Sequence, residues 1–283
     1  MAATVLDVAF VVPTSGTSGI YGPSCEASGR LAVSEINDAG GERTPGVFLT
    51  GETPAGQLLP AMRWMSREMG VRSWTIVGND YVWPRASAGA ARAYAGPVGA
   101  EIRDEIFVGL GTEDFGPVLR RIERSRSQGV LMFLLGSDAV HFNRAFTRMR
   151  LHDGCVRLSP LMDENMLLAT GAEGTGGLYA AAGFFEALPT ESSRQFLAEY
   201  TRRHGVLAPV PNSLGESCYE GLRLFAELCR RAGSTDVSAI CAVAEATGYD
   251  GPRGPVQLTD RHLRQRIYVA HADGLDFEVL AQL

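Results

Sequence analysis

The residues of this chain that could do chemistry lie in short polar loops that follow predicted strands. The first loop, residues 11–22, combines three glycines with serine, threonine and tyrosine hydroxyls between an apolar run and a helix-like segment. Backbone N–H groups and hydroxyls at such a junction can bind a small carbonyl or carboxylate group at the positive end of the helix. The same composition is also typical of a turn that only connects a strand to a helix. The candidates in this loop are Ser15, Gly16, Thr17, Ser18 and Tyr21.

Three later loops also place polar and aromatic side chains directly after predicted strands. Because the carboxyl ends of parallel strands share one edge of a sheet, we expect these side chains to meet there. Aromatic rings beside hydroxyls and one or two carboxylates are typical of a pocket for a small polar molecule. In the alternative interpretation the aromatic rings pack under the next helix and the acids cap a helix. The candidates are Asn79, Tyr81 and Trp83 in one loop, Ser137 and Asp138 in the second, and Asp163 and Glu164 in the third.

The motifs of common enzymes and metal sites are missing from the sequence. The five histidines lie far apart, and neither a nucleophile elbow G-x-S-x-G nor a dinucleotide fingerprint G-x-G-x-x-G follows a strand. The chain contains no lysine, which excludes a Walker A lysine and a Schiff-base lysine. We therefore expect a protein that is not an enzyme and that uses neither a cofactor nor a metal ion.

Composition limits the partners and the compartment. A formal net charge of -6 argues against direct nucleic-acid binding. The five cysteines are odd in number and lack C-x-x-C spacing, so reduced thiols are expected. No basic and apolar leader precedes the first strand as the sequence is written, which predicts a cytoplasmic protein. The alternative is an exported or cell-surface protein whose signal was removed.

Strand-like and helix-like segments alternate through the first two thirds of the chain. The pattern predicts strands at residues 46–50, 73–78, 101–108 and 129–136, the last apolar throughout, as a strand covered on both faces must be. Thr53 is predicted to cap a helix that ends at Gly70. A helix-rich part follows, with helices at residues 193–204, 213–232 and 236–247 and two closing strands, PVQL and RIYVA. This order predicts an α/β fold with doubly wound parallel sheets.

Five segments together resemble a known family. The opening VPTSGTSGIYGPSCEASGRLAVSEINDAGG is similar to that of the type I periplasmic-binding-protein fold, in its branched-chain amino acid, amide and urea receptor branch. The segment GVFLTGETPAGQLLPAMRWM resembles the strand and helix that lead into that fold's second lobe. GNDYVWPR is similar to a signature of the amide- and urea-binding members. GPRGPVQLTDRH and RIYVAHADG resemble their closing hinge strands. The resemblance covers nearly the whole chain.

The resemblance implies two α/β lobes joined by three hinge crossings, with a small polar ligand enclosed between them. Relatives deliver short amides, urea or amino acids to an ATP-driven transporter, or act in the cytosol as amide sensors. The implied partners are therefore such a ligand and either an ABC permease or a regulatory protein. By position, residues 15–21 would supply the first-lobe side of the site. The second-lobe side would be supplied by Tyr81, Ser137, Asp163 and Glu164.

One departure from the family pattern concerns the first lobe. Two βα units that the family places before the strand at residues 46–50 are missing, which at about 30 residues each amounts to roughly 60 residues. We therefore expect a shortened first lobe, residues 1–71 and 187–254, beside a second lobe, residues 72–186 and 255–283. An alternative function follows, in which the chain no longer binds a ligand and serves as an interaction module, for example in a homodimer.

Overall fold

The fold divides into two units in a computed structural model that describes residues 46–283. Within that range, unit 1 comprises residues 46–51 and 189–266, and unit 2 comprises residues 52–188 and 267–283. The chain thus passes between the units after residues 51, 188 and 266, whereas the sequence places these passages after residues 71, 186 and 254. The first boundary differs because the helix Leu58–Glu68 packs into the core of unit 2.

The strands and helices of the described part alternate as the sequence predicts. The strands are β1 (Ser73–Asn79), β2 (Glu101–Val108), β3 (Gly129–Phe133), β4 (Val156–Ser159), β5 (Leu178–Ala182), β6 (Gly248–Gly251), β7 (Gly254–Thr259), β8 (His262–Arg264), β9 (Tyr268–Asp273) and β10 (Asp276–Gln282). The helices are α1 (Leu58–Glu68), α2 (Val82–Ala95), α3 (Gly116–Ser125), α4 (Gly136–Arg148), α5 (Glu164–Thr170), α6 (Glu191–His204), α7 (Ser213–Ala232) and α8 (Val237–Val243). Short 3₁₀ turns lie at Gly96–Val98, Leu151–Asp153 and Ala172–Gly174.

Unit 2 is built on a seven-stranded sheet in the order β10-β9-β5-β4-β3-β1-β2. Strands β1 to β5 pair in parallel, and β9 and β10 add two antiparallel strands at one end. Every residue of β3 is buried, which confirms the expectation of a strand covered on both faces, and every residue of β1 is buried as well. Gly129 is required in β3 because a Cβ atom there would lie 2.5 Å from the Trp74 ring. The α/β class with a mainly parallel sheet is therefore confirmed.

Strand β2 forms one end of this sheet, and its charged side chains are paired with arginines. Glu101 binds Arg103 of the same strand, while Asp104 and Glu105 bind Arg121 of α3 and Arg92 of α2. The nitrogen–oxygen distances are 2.6–2.7 Å. Among the described residues, this end of the sheet therefore carries ion pairs beside the apolar side chains of β2.

Helix α1 begins one turn later than the sequence predicts. Thr53 does not cap the helix; its hydroxyl accepts a hydrogen bond from the Gly56 N–H at 3.1 Å within a preceding turn. The buried face of Leu58, Met62 and Met65 forms as the spacing predicts. The helix also ends before Gly70, whose φ of 69° favours glycine.

In the part of unit 1 that the structure describes, three helices accompany a small antiparallel sheet in the order β6-β7-β8. The side chains of Thr190, Asn212 and Asp236 accept backbone N–H hydrogen bonds at the starts of α6, α7 and α8. The strand predicted at residues 46–50 is reduced to a single bridge between Leu49 and His262. Helix α8 ends at Val243 and not at residue 247, because residues 247–258 turn back to form β6 and β7.

Candidate functional site

The candidate site is the edge of the unit 2 sheet where strands β1 to β5 end. Asn79, the last residue of β1, donates a hydrogen bond from Nδ2 to Oδ2 of Asp138 at 2.6 Å. Its Oδ1 accepts the Leu135 N–H at 2.9 Å, and the same Asp138 oxygen accepts the Gly111 N–H at 3.0 Å. Both side chains are fully buried. Asn79 and Asp138 therefore join the loops that follow β1, β2 and β3, and Oδ1 of Asp138 stays buried without a hydrogen-bond partner among the described residues.

Gln57 joins the ends of β4 and β5, the other two parallel strands, through hydrogen bonds of its side chain. Its Nε2 donates to the carbonyl oxygens of Pro160, just after β4, at 3.0 Å and of Ala181, in β5, at 2.7 Å. Glu52 supports this region as well, since its Oε1 accepts the Gly183 N–H at 3.0 Å. No local pattern points to either residue, because both precede α1 and lie more than a hundred residues from their partners.

The two aromatic candidates after β1 differ in their surroundings. The Trp83 ring contacts Phe133 of β3 edge-on, with centroids 5.8 Å apart, and is partly buried against the core of unit 2. Tyr81 lies at the start of α2, half-buried, and its ring is 6.4 Å from the ring of Trp83. Burial raises the pKa of Tyr81, so its hydroxyl stays a hydrogen-bond donor at neutral pH. Trp83 thus packs as the alternative interpretation expects, and Tyr81 remains as the group that could contact a ligand.

Ser137 lies in the first turn of α4, directly after β3. Its side chain is half-buried, between the buried Gly136 and Asp138. A hydroxyl at this position stands at a helix start, where partial positive charge favours an acceptor oxygen. Ser137 and Tyr81 therefore present hydroxyls at the starts of two helices on one edge of the sheet.

The adjacent acids after β4 have separate structural roles. Asp163 caps α5, because its Oδ1 accepts the Met166 N–H at 2.9 Å. Glu164 is buried, and its Oε1 accepts the Glu186 N–H at 2.8 Å, while Oε2 has no hydrogen-bond partner. Burial, with the charge of Asp163 beside it, raises the pKa of Glu164 to about 8. Glu164 therefore holds a proton at neutral pH and acts as a neutral carboxyl group.

The remaining predicted site residues lie outside the described residues. These are the first-loop candidates Ser15, Gly16, Thr17, Ser18 and Tyr21. Among residues 46–283, histidine, cysteine and acidic side chains form no group that could hold a metal ion. None of the described helices is long and apolar enough to cross a membrane.

Comparisons with known proteins identify the family to which the chain is related. The profile of the family described as periplasmic binding protein matches residues 40–276. The Leu/Ile/Val-binding protein homolog 6 of Brucella melitensis is 28% identical over 244 residues, which cover 82% of this chain and 61% of that protein. The counterpart in Brucella abortus gives the same identity and coverage. The chain thus spans about three fifths of the length of the curated relatives it matches.

Solved structures share the fold. A solute-binding protein of an ABC transporter from Rhodopseudomonas palustris, in complex with benzoate, has a TM-score of 0.81 at 15% identity, covering 95% of this chain and 94% of its own. A second such protein, from strain BisB5 in complex with 3,4-dihydroxybenzoic acid, has a TM-score of 0.74 at 23% identity, covering 86% and 68%. A leucine-binding protein from Thermotoga maritima has a TM-score of 0.73 at 14% identity, covering 84% and 67%. With the parallel sheet of unit 2 and the profile match over most of the chain, these likenesses establish that the chain belongs to the type I periplasmic-binding-protein family.

Proposed function

We propose that the chain is a solute-binding protein without enzymatic activity, whose ligand is a small organic molecule carrying a carbonyl or carboxylate oxygen. The observation that carries the proposal is the pair of hydroxyls, Tyr81 and Ser137, at the starts of α2 and α4 on one edge of the sheet. Hydroxyl donors at two positive helix ends suit an acceptor oxygen. The acids beside them suit it less, because Asp163 caps a helix and Glu164 is buried.

Within this class we place carboxylates first, and branched-chain amino acids first among them. The names of the curated relatives refer to leucine, isoleucine and valine, and several solved neighbours hold benzoate or a hydroxybenzoate. Short amides and urea, which the sequence resemblance implied, also carry a carbonyl oxygen and come second. The proposed setting is an ABC transporter, as those neighbours' names state for their own chains, or a cytoplasmic amide sensor.

The ligand class is tested by thermal-shift and calorimetric titration of the whole chain. The panel contains leucine, isoleucine, valine, benzoate, acetamide, butyramide and urea. A ligand that binds only the folded protein must raise the melting temperature in proportion to ln(1 + [L]/Kd). We expect a shift with at least one carboxylate. A clean unfolding transition that no compound moves would contradict the proposal and, with a dimer in sizing chromatography, would favour the interaction module.

The two hydroxyls provide the matched variants. Tyr81→Phe and Ser137→Ala should each weaken binding of the active compound about fivefold to tenfold, since each removes one hydrogen bond to the ligand. Tyr94→Phe is the control, because Tyr94 lies in the last turns of α2, away from the sheet edge. Wild-type affinity in both site variants would exclude this edge as the binding surface.

A further inference from the structure

A cleft of about 410 Å³ lies in unit 1, outside the candidate site. One wall is a stripe of α6 at helical spacing, a second wall comes from α7, and the floor is the end of β6 with the turn that follows it. This volume lies within the range of small-molecule pockets. The lining residues are Ser192, Gln195, Phe196, Glu199 and Arg203 of α6, Tyr219 and Arg223 of α7, and Asp250, Gly251 and Pro252.

The interior of the cleft contains two aromatic rings beside its polar groups. The rings of Phe196 and Tyr219 contact each other with centroids 5.0 Å apart, and the Pro252 ring lies at the floor. Burial raises the pKa of Tyr219, so the phenol is neutral. Gly251 admits no side chain, because a Cβ atom there would collide with the buried Glu220 carboxyl group. The two aromatic rings suit a ligand with a flat body.

The rim carries guanidinium groups with unused donors. Arg223 lies over the Tyr249 ring at 5.9 Å and forms no ion pair with any residue in the described range. Arg203 binds Glu199 through Nε alone, which leaves its terminal nitrogens without a hydrogen-bond partner among residues 46–283. Arginine presents its donors in a planar fork that matches a carboxylate. The rim is therefore equipped for an anionic group.

The ion pairs of the rim leave arginine donors available to an anion. Glu199 is shared by two arginines, since Arg202 donates to both of its oxygens at 2.7 Å and Arg203 binds it as well. In the lining, Arg203 and Arg223 balance the charges of Glu199 and the exposed Asp250. An anionic group can therefore bind the unused guanidinium donors beside these pairs.

We propose that this cleft is a second small-molecule site, for a monoanion with a flat apolar body such as an aromatic carboxylate. The carboxylate binds Arg223 and the free nitrogens of Arg203, and the ring lies against Phe196 and Tyr219. The site does not depend on the proposed function of the sheet edge, because all of its residues belong to unit 1. Its floor also connects to the start of α6, since the Pro252 carbonyl accepts from Thr190 and Ser192 at 3.5 Å.

Fluorine NMR titration with 4-fluorobenzoate tests the site on the whole chain. We expect binding with a Kd in the millimolar range or below. Arg223→Gln should weaken it about tenfold by removing the charged partner. Gln195→Trp should abolish it, because the exposed Gln195 lines the cleft and a tryptophan would fill the space. The uncharged 4-fluorobenzamide should bind at least about tenfold more weakly than 4-fluorobenzoate, because it lacks the carboxylate that pairs with the arginines.

The controls separate this site from the sheet edge. Arg230 lies on α7 like Arg223, but it is exposed and pairs with Glu227 outside the cleft. Arg230→Gln should therefore leave binding of the probe unchanged. Tyr81→Ala removes the sheet-edge contact and should leave a binding event that still depends on Arg223. The inference is overturned by the absence of probe binding, by wild-type affinity in both cleft variants, or by complete loss of binding in Tyr81→Ala. Melting temperatures establish that each variant is folded.

Discussion

Buried polar side chains join the strand ends of unit 2, and each depends on a partner from a neighbouring strand or loop. Asn79 and Asp138 were expected to face a ligand, but each is fully buried and bonded to the other. That contact joins residues 59 positions apart, and it exists only because β1 and β3 are neighbours in the sheet. The burial of Glu164 could not be predicted either, since it depends on the loop that carries Glu186. The positions at which the strands end were predictable from the sequence. The hydrogen bonds between side chains that follow different strands were not.

Glu164 should make stability depend on pH. Its pKa is about 8 in the folded protein against an ordinary value of 4.5. The folded state therefore keeps a proton that the unfolded state loses above pH 4.5, so this contribution is fully present below pH 4.5 and is lost as pH rises through 8. The Glu164→Gln side chain is neutral at every pH, so this variant should lose less stability than wild type over this window. At pH 8 we expect the two losses in the free energy of unfolding to differ by about 1–4 kcal/mol.

Urea unfolding at pH 4.5, 6 and 8 measures this difference, with the window taken from the pKa of Glu164. Glu278→Gln is the control, because Glu278 is exposed on β10. Parallel stability profiles for wild type and Glu164→Gln would show that Glu164 is ionised in the folded state.

Elements were predicted well wherever a buried face repeats at a regular spacing. Strand β2 and helix α7 have the predicted bounds, and the apolar face of α1 forms as expected. The errors lie at ends and in short segments. Thr53 starts a turn instead of a helix, and the predicted strand at residues 46–50 is a single bridge. Helix caps and short strand pairings depend on residues that are distant in the sequence. A local sequence pattern does not contain this information.

The side-chain links between strand ends should stabilise the whole edge of the sheet. Asn79→Ala removes three hydrogen bonds and leaves Asp138 buried without its partner. We expect a loss of about 2–4 kcal/mol in the free energy of unfolding. Asp80→Asn is the matched control, since the side chain of the neighbouring Asp80 forms an exposed ion pair with Arg85 and its loss should change stability little. Equal destabilisation by the two variants would contradict the role given to Asn79.

At the scale of the molecule, the family was predictable from the combined segments, whereas the unit boundaries were not. A boundary depends on which core each segment joins, and α1 joins unit 2 through contacts with β1 and α2. The buried ion pair inside unit 1 was not predictable from the sequence either. Glu216 and Arg253 are 37 residues apart and form a fully buried ion pair. Arg253 also donates to Gln265, just before the chain leaves unit 1.

Breaking that ion pair should damage unit 1 more than removing it entirely. Arg253→Met leaves Glu216 buried without its charged partner, at an expected cost of about 3–5 kcal/mol. The double variant Glu216→Gln/Arg253→Met carries no unpaired charge and should recover at least about 1 kcal/mol of that loss. Chemical unfolding of wild type, both single variants and the double variant forms the complete cycle. Additive losses would show that the two side chains stabilise unit 1 independently.

The ion pairs along β2 have a consequence for the behaviour of the protein at high concentration. An exposed strand edge can join the edge of another molecule, and lining it with charges makes that association unfavourable. Concentrated salt screens exposed ion pairs such as those of Arg92, Arg103 and Arg121. Light scattering should therefore report slower self-association at low ionic strength than at high ionic strength, and formulation of the protein should start at low salt.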